Sequence, residues 1–154
     1  MKKILNIIIP ILICFLIGTT ASYIQSDSIE NWYPILIKPA LTPPNIVFPI
    51  AWSIIYILIG ISIGLILNSN IARKKYYITL FIAQLFFNFT WSISFFYLQN
   101  PILGLINIFI LDMFVAIYIL KTYRKWRISS YLFMPYMIWL LFATYLNGYI
   151  FIYN

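Results

Sequence analysis

The chain has no histidine, one cysteine and three acidic residues among its 154. Each scarcity removes a class of chemistry. Without histidine there is no His/Cys zinc site, no axial His ligation of haem and no Ser-His-Asp catalysis. A single cysteine, Cys14, cannot form an intrachain disulfide. The "LIC" that contains it lacks the small residue that normally precedes a lipidated cysteine, so Cys14 reads as a small apolar side chain. The three carboxylates are dispersed: Asp27 and Glu30 stand together, and Asp112 is far along the chain. No glycine-rich phosphate loop is present, which argues against ATP-driven transport by this chain alone. Charge itself is scarce, 8% of residues against roughly a quarter in soluble domains, and that excludes an ordinary soluble globule.

What remains is apolar: 64% of residues are hydrophobic, 20% aromatic, and the mean hydropathy is +0.95. Uncharged runs cover residues 4–26, 39–72, 76–111 and 128–154. A hydrocarbon core about 30 Å thick needs about 20 apolar residues per helix. The stretch from 76 to 121, broken only by Asp112, holds two spans with a turn at "LQNPILG". The expectation is an all-α integral membrane protein, a five-transmembrane-helix bundle in one domain. Its helices would run over about 4–24, 46–68, 76–97, 101–122 and 129–151, with a proline-rich loop at about 27–45.

The net charge of +7 could suggest nucleic acid, but its distribution points to a bilayer. Lys2, Lys3, Arg73, Lys74, Lys75, Lys121, Arg124, Lys125 and Arg127 all fall on one side of a five-span topology, and Asp27, Glu30 and Lys38 on the other. The positive-inside rule then puts the N-terminus in the cytoplasm and the C-terminus outside. Basic loops beside a bilayer also attract anionic head groups, with no nucleic acid required. The N-terminus, two lysines followed by an apolar stretch and small residues, imitates a secretory signal. With four further spans, an uncleaved first helix is the simpler reading.

Function must come from a shaped apolar cavity with few polar groups. On helix 3, Gln84, Asn88, Trp91 and Phe95 share one face at i, i+4, i+7 and i+11. Uncharged amides in a membrane turn into the bundle, either as a ligand site or as hydrogen-bonding glue between helices. On helix 5, Trp139, Ala143, Leu146 and Ile150 repeat the spacing. A large ring followed by a small residue leaves room beside an aromatic wall, although small residues also serve plain packing. Pro135, one turn earlier, should kink or open that helix.

On helix 2, Trp52 and Tyr56 share a face behind Pro49, and Gly60 and Gly64 form a Gly-xxx-Gly pattern. That pattern fits either a close contact within the bundle or dimerisation. Asp112 is a functional candidate by position, with protonation or a bond to a neighbouring hydroxyl or amide as alternatives. Asn107, five residues away, lies about 140° around the helix from it.

Together, "WYxxLxKPxxxPP" from Trp32 to Pro44, "PxxWSxxY" from Pro49 to Tyr56, "QLxxNxxWSxxFF" from Gln84 to Phe96 and "PYxxWxxFAxYLN" from Pro135 to Asn147 resemble the TspO/MBR family. The resemblance covers four of five helices in order. It implies a five-helix bundle, commonly a homodimer, with a ligand cavity on the side of the loop between helices 1 and 2. Members bind porphyrins, in some cases sterols, and synthetic benzodiazepine-type ligands, and no cofactor is required.

Some bacterial members promote light- and oxygen-dependent breakdown of protoporphyrin IX. On that likeness Trp52 and Trp139 are the residues for such photochemistry. The pocket would be built from Trp32, Tyr33 and Pro43 of the loop, Trp52 and Tyr56, Asn88 and Trp91, and Trp139 and Ala143. Gln84, Phe95 and Leu146 are added from the shared faces above. Transport of a porphyrin or lipid, sensing, and a ligand-free structural subunit are the competing roles.

The chain also departs from the family's pattern. No basic residue follows Arg127, so the animal sterol-recognition element is absent, and Asn107 stands where some relatives carry an acidic residue. The segment 31–49 carries five of the eight prolines. Proline fixes φ and removes an N–H, so such a segment can lie against the bundle mouth with fewer donors to satisfy. It reads as a lid, with Lys38 near the entrance where a porphyrin carboxylate would arrive.

Overall fold

The computed structural model describes residues 1–154 and is wholly helical. Helix α1 spans Lys2–Asn31, α2 Val47–Leu67, α3 Lys74–Ser92, α4 Pro101–Tyr123 and α5 Arg127–Tyr153. All five are long and apolar enough to cross a membrane. Around the bundle the neighbours run α1, α2, α5, α4, α3 and back to α1, so the helices close a ring.

Four helices agree with the hydropathy reading to within two residues at each end, α3 when its continuation through Tyr97 is counted, and α1 does not. Hydropathy ends the first span near residue 24, but the helix continues through "SDSIEN", because a polar turn outside the hydrocarbon is still helical until a breaker arrives. The breaker is Pro34, in a short 3-10 turn at Tyr33–Ile35. The added turns are anchored: buried Ser28 donates to the Phe96 carbonyl at 2.7 Å. The proline-rich connection therefore covers residues 32–46 rather than 27–45.

Lys74 and Lys75 likewise belong to the first turn of α3 rather than to the loop before it. Cations at a helix N-terminus oppose its dipole. Lys74 turns back and donates to the Leu67 carbonyl at 2.9 Å. The "LQNPILG" turn forms as its residues dictate. Gln99 takes a left-handed φ of 47°, Asn100 caps α4 by accepting from Leu103 N–H at 3.1 Å, and Pro101 opens the helix. Pro135 is accommodated inside an uninterrupted α5.

The two halves of the bundle are packed differently. Towards the basic end, Ile59, Ile63, Ile66, Phe81, Leu111, Val115, Tyr118 and Phe133 form a continuous core. Gly60 and Gly64 draw α1 against α2 there: a Cβ on Gly60 would stand 2.9 Å from the backbone N of Ile11, and one on Gly64 2.8 Å from the Asn6 carbonyl. The Gly-xxx-Gly pattern thus serves a contact within the chain. A polar knot ties α2 to two more helices in the same half, where Ser62 of α2 bonds Tyr118 of α4 at 3.1 Å and donates to the Ser129 carbonyl of α5 at 2.8 Å. The loop-side half is where the packing opens.

Candidate functional site

A cavity of about 410 Å³ occupies the loop-side half of the ring. It is enclosed by α1, α2, the last turns of α3 and α5; α4 contributes nothing to its wall. Lining residues that are also exposed, Thr19, Ser22, Asn45 and Pro49, mark its mouth between the loop-side parts of α1 and α2. The size falls in the range of small-molecule sites, roughly 300–1,000 Å³.

Two stacked aromatic pairs form its walls. Trp52 lies on Tyr56 with ring centroids 5.6 Å apart and planes 28° from parallel, and Trp91 lies on Phe95 at 5.6 Å and 13°. Phe15 meets the edge of Tyr56 at 5.7 Å. Tyr56 fits against α1 because position 18 is glycine, where a Cβ would come within 2.7 Å of the phenol oxygen.

The second wall depends on a departure from α-helical register. Over Ile93–Tyr97 α3 widens into a π-turn, with Leu98 N–H donating to the Ile93 carbonyl at 2.8 Å. The wider turn lets consecutive residues Phe95 and Phe96 both reach the cavity.

Polar groups on the wall are few and mostly engaged. Asn88 Nδ2 donates to the Tyr136 hydroxyl at 3.0 Å. Asn147 accepts from Trp91 Nε1 at 3.2 Å and donates to the Pro101 carbonyl at 2.8 Å. Gln25 Oε1 is buried with no protein partner. All lining residues are uncharged, and none is His, Cys or Met.

Of the residues expected from sequence, Tyr33, Trp52, Tyr56, Asn88, Trp91, Phe95, Ala143 and Leu146 line this cavity. Trp32, Lys38, Pro43, Gln84 and Trp139 do not. Trp32 packs edge-on behind Phe95 at 5.5 Å, outside the wall that Phe95 forms. Trp139 sits one residue layer back, against Phe48 at 5.8 Å, and Phe48 is the ring that faces the cavity. Lys38 donates to the Tyr33 carbonyl at 3.0 Å and lies 4.6 Å from the Tyr33 ring, so its charge holds the loop. Tyr33 is buried, which pushes its phenol above the ordinary pKa and keeps it neutral.

Gln84 is 0% exposed, and neither of its polar atoms has a protein partner. It lies one turn below Asn88, in the packed half. An unpaired buried amide costs about 1–3 kcal/mol. Gln84→Leu is therefore expected to raise stability by about 1 kcal/mol, read as the shift in a denaturation midpoint.

Asp112 accepts from Thr144 Oγ1 at 2.9 Å, the hydroxyl partner that was one of its alternatives, and Asn107 donates to Thr90 at 2.8 Å. Both bonds join neighbouring helices. Among the residues that spacing missed are Phe15, Gly18, Gln25, Phe48, Phe96 and Asn147. Those of α1 gave no signal because the polar residues of its loop-side half, Thr19, Thr20, Ser22 and Gln25, mark no single narrow face.

The connection over the cavity is held at its far side. Ile37 N–H donates to Asn154 Oδ1 at 2.9 Å, and Asn154 Nδ2 donates to the Ile37 carbonyl at 3.1 Å, a two-point clasp between loop and α5. Asn154→Ala removes both bonds, each worth about 1 kcal/mol. Hydrogen exchange at the Ile37 amide, which then loses its acceptor, is expected to quicken by about fivefold to thirtyfold.

The five-helix ring is the fold that the motifs implied, and comparison with known proteins agrees on the family. The model of the TspO/MBR family matches residues 10–153. The chain belongs to the TspO/MBR family. It is 38% identical to the tryptophan-rich protein TspO of Archaeoglobus fulgidus over 152 residues, 99% of each chain. The corresponding protein of Chlorobaculum tepidum is 33% identical, covering 95% of this chain and 94% of its own. The human translocator protein is 26% identical, covering 90% and 81%. TspO/MBR proteins are five-helix membrane bundles, and this chain is an integral membrane protein of that sensory and translocator family.

Proposed function

We propose that this TspO/MBR protein binds a flat, largely apolar tetrapyrrole such as protoporphyrin IX, with benzodiazepine-type compounds as alternative occupants of the same space. The observation that carries the reading is the pair of stacked aromatic walls, Trp52 on Tyr56 and Trp91 on Phe95, facing a cavity of about 410 Å³. Aromatic rings offer large apolar contact and preferred stacking distances to a macrocycle. The uncharged wall sets the orientation. A carboxylate buried without a partner is costly, so the propionates stay at the mouth, towards the head groups, and the macrocycle enters edge-first between α1 and α2. Gln25 Oε1 offers an acceptor inside.

The donor set favours a metal-free porphyrin. With His, Cys and Met missing from the wall, Tyr33 and Tyr56 are the only lining side chains of a type that ligates haem iron. Light-driven degradation would need an electron donor in contact with the macrocycle. Trp52 is on the wall and Trp139 is behind Phe48, so Trp52 is the better placed of the two.

The proposed setting is a bacterial inner membrane with the basic end cytoplasmic, in keeping with the positive-inside rule. A homodimer, as the family resemblance implies, would use lipid-facing residues other than Gly60 and Gly64, which α1 covers.

The test is tryptophan fluorescence quenching on titrating purified protein with protoporphyrin IX. Saturable quenching is expected, with Trp52→Phe losing more affinity and more quenching than Trp139→Phe. Unsaturable quenching, or a Trp52→Phe titration identical to the parent, would count against the site.

A further inference from the structure

At the opposite end of the bundle from the loop, an open cleft of about 440 Å³ lies beside the turn joining α4 to α5. Leu65, Arg124, Lys125, Trp126, Arg127 and Ile128 line it. Three of these are cations within four residues. None has a carboxylate near it in the fold: Asp27 and Glu30 are at the loop end of α1, and Asp112 is three turns back inside α4. Arg127 is steadied over the Tyr123 ring at 5.6 Å. Lys74, by contrast, is engaged with a backbone carbonyl. Three cations held around one concavity repel each other, and a bound anion relieves that repulsion.

The rest of the lining narrows the anion's class. Leu65 and Ile128 are apolar, and Ile128 is 69% exposed, so the cleft continues from a cationic floor onto a greasy rim. Trp126 is half-buried in the same lining, and amphipathic rings of its kind favour a bilayer interface. A free phosphate would use the cations and leave the rim uncovered. A molecule with a phosphate and hydrocarbon chains uses both.

The geometry points to a site for one anionic glycerophospholipid, its phosphate held by Arg124, Lys125 and Arg127 and an acyl chain lying over Ile128. This is a discrete site at one turn, in addition to the general attraction of the basic end for acidic head groups. It does not depend on what fills the aromatic cavity.

The test is native mass spectrometry of the full chain, released from micelles holding equal amounts of phosphatidylglycerol and phosphatidylcholine. The protein is expected to retain one phosphatidylglycerol in preference to phosphatidylcholine. In the triple variant Arg124→Gln, Lys125→Gln, Arg127→Gln that preference should fall about tenfold or more. Lys2→Gln with Lys3→Gln removes charge from the same end but away from the cleft, and should retain the preference. Lys125→Gln alone, an exposed change with little bearing on folding, should lower it by about fivefold. A triple or single variant with the parent's preference would overturn the site, as would an equal loss in the Lys2, Lys3 variant. Displacement of the lipid by excess inorganic phosphate would also overturn it, by making the ligand an anion without chains.

Discussion

Ala143→Phe is expected to lower protoporphyrin IX affinity by at least about a hundredfold while leaving the protein folded. Ala143 is 8% exposed and lies on the cavity wall from α5, across from the α1–α2 mouth. A phenyl ring added there grows into the cavity itself, so it takes the space a macrocycle would need. Enlarging a side chain in a packed core costs about 1–3 kcal/mol, because neighbours must leave their rotamers. Here the new ring meets open space, and the unfolding midpoint should move little. Quenching titrations and thermal denaturation of the same preparation separate the two effects. Loss of affinity together with loss of fold would mean that the position is core and the cavity lies elsewhere.

The second large effect is on stability. Gly60→Val places a branched side chain where even a Cβ would be 2.5 Å from Ile11 Cγ1 and 2.9 Å from the Ile11 backbone N and Cα. A side chain could rotate away, but backbone cannot, so α1 must separate from α2. The expected loss is about 3 kcal/mol or more, a large share of a stability of about 5–15 kcal/mol. Gly148→Ala is the matched control, since the nearest atom to its Cβ would be Leu105 Cδ1 at an ordinary 3.8 Å. Denaturation in mild detergent should show Gly60→Val strongly shifted and Gly148→Ala near the parent. Equal midpoints would mean that the α1–α2 contact contributes little to the fold.

These effects mark where sequence was informative and where it was not. Spans were legible because hydrocarbon thickness and hydropathy fix them. The turn at "LQNPILG" and the start of α4 at Pro101 were legible because their residue chemistry is local. The end of α1 was not, because hydropathy reports what touches lipid, and the helix continues beyond the lipid to Asn31.

Helical spacing correctly grouped Gln84 with Asn88, Trp91 and Phe95. However, one face crosses both halves of the bundle, and only the upper three residues reach the cavity. The same holds for Trp139, which shares a face with Ala143 but stands behind Phe48. The π-turn that brings Phe96 alongside Phe95 left no trace in the pattern, because widening one turn is a tertiary outcome. Asn147 was visible only as part of a motif. Its role, tying Trp91 to the start of α4, required the fold.

The central claim is that the aromatic cavity of the loop-side half receives a tetrapyrrole. The most direct measurement is a structure of the full chain determined with protoporphyrin IX present. The macrocycle is expected between the Trp52–Tyr56 and Trp91–Phe95 walls, with its propionates at the mouth beside Ser22 and Asn45. A macrocycle bound on the lipid-facing surface, with the cavity walls closed upon one another, would contradict it.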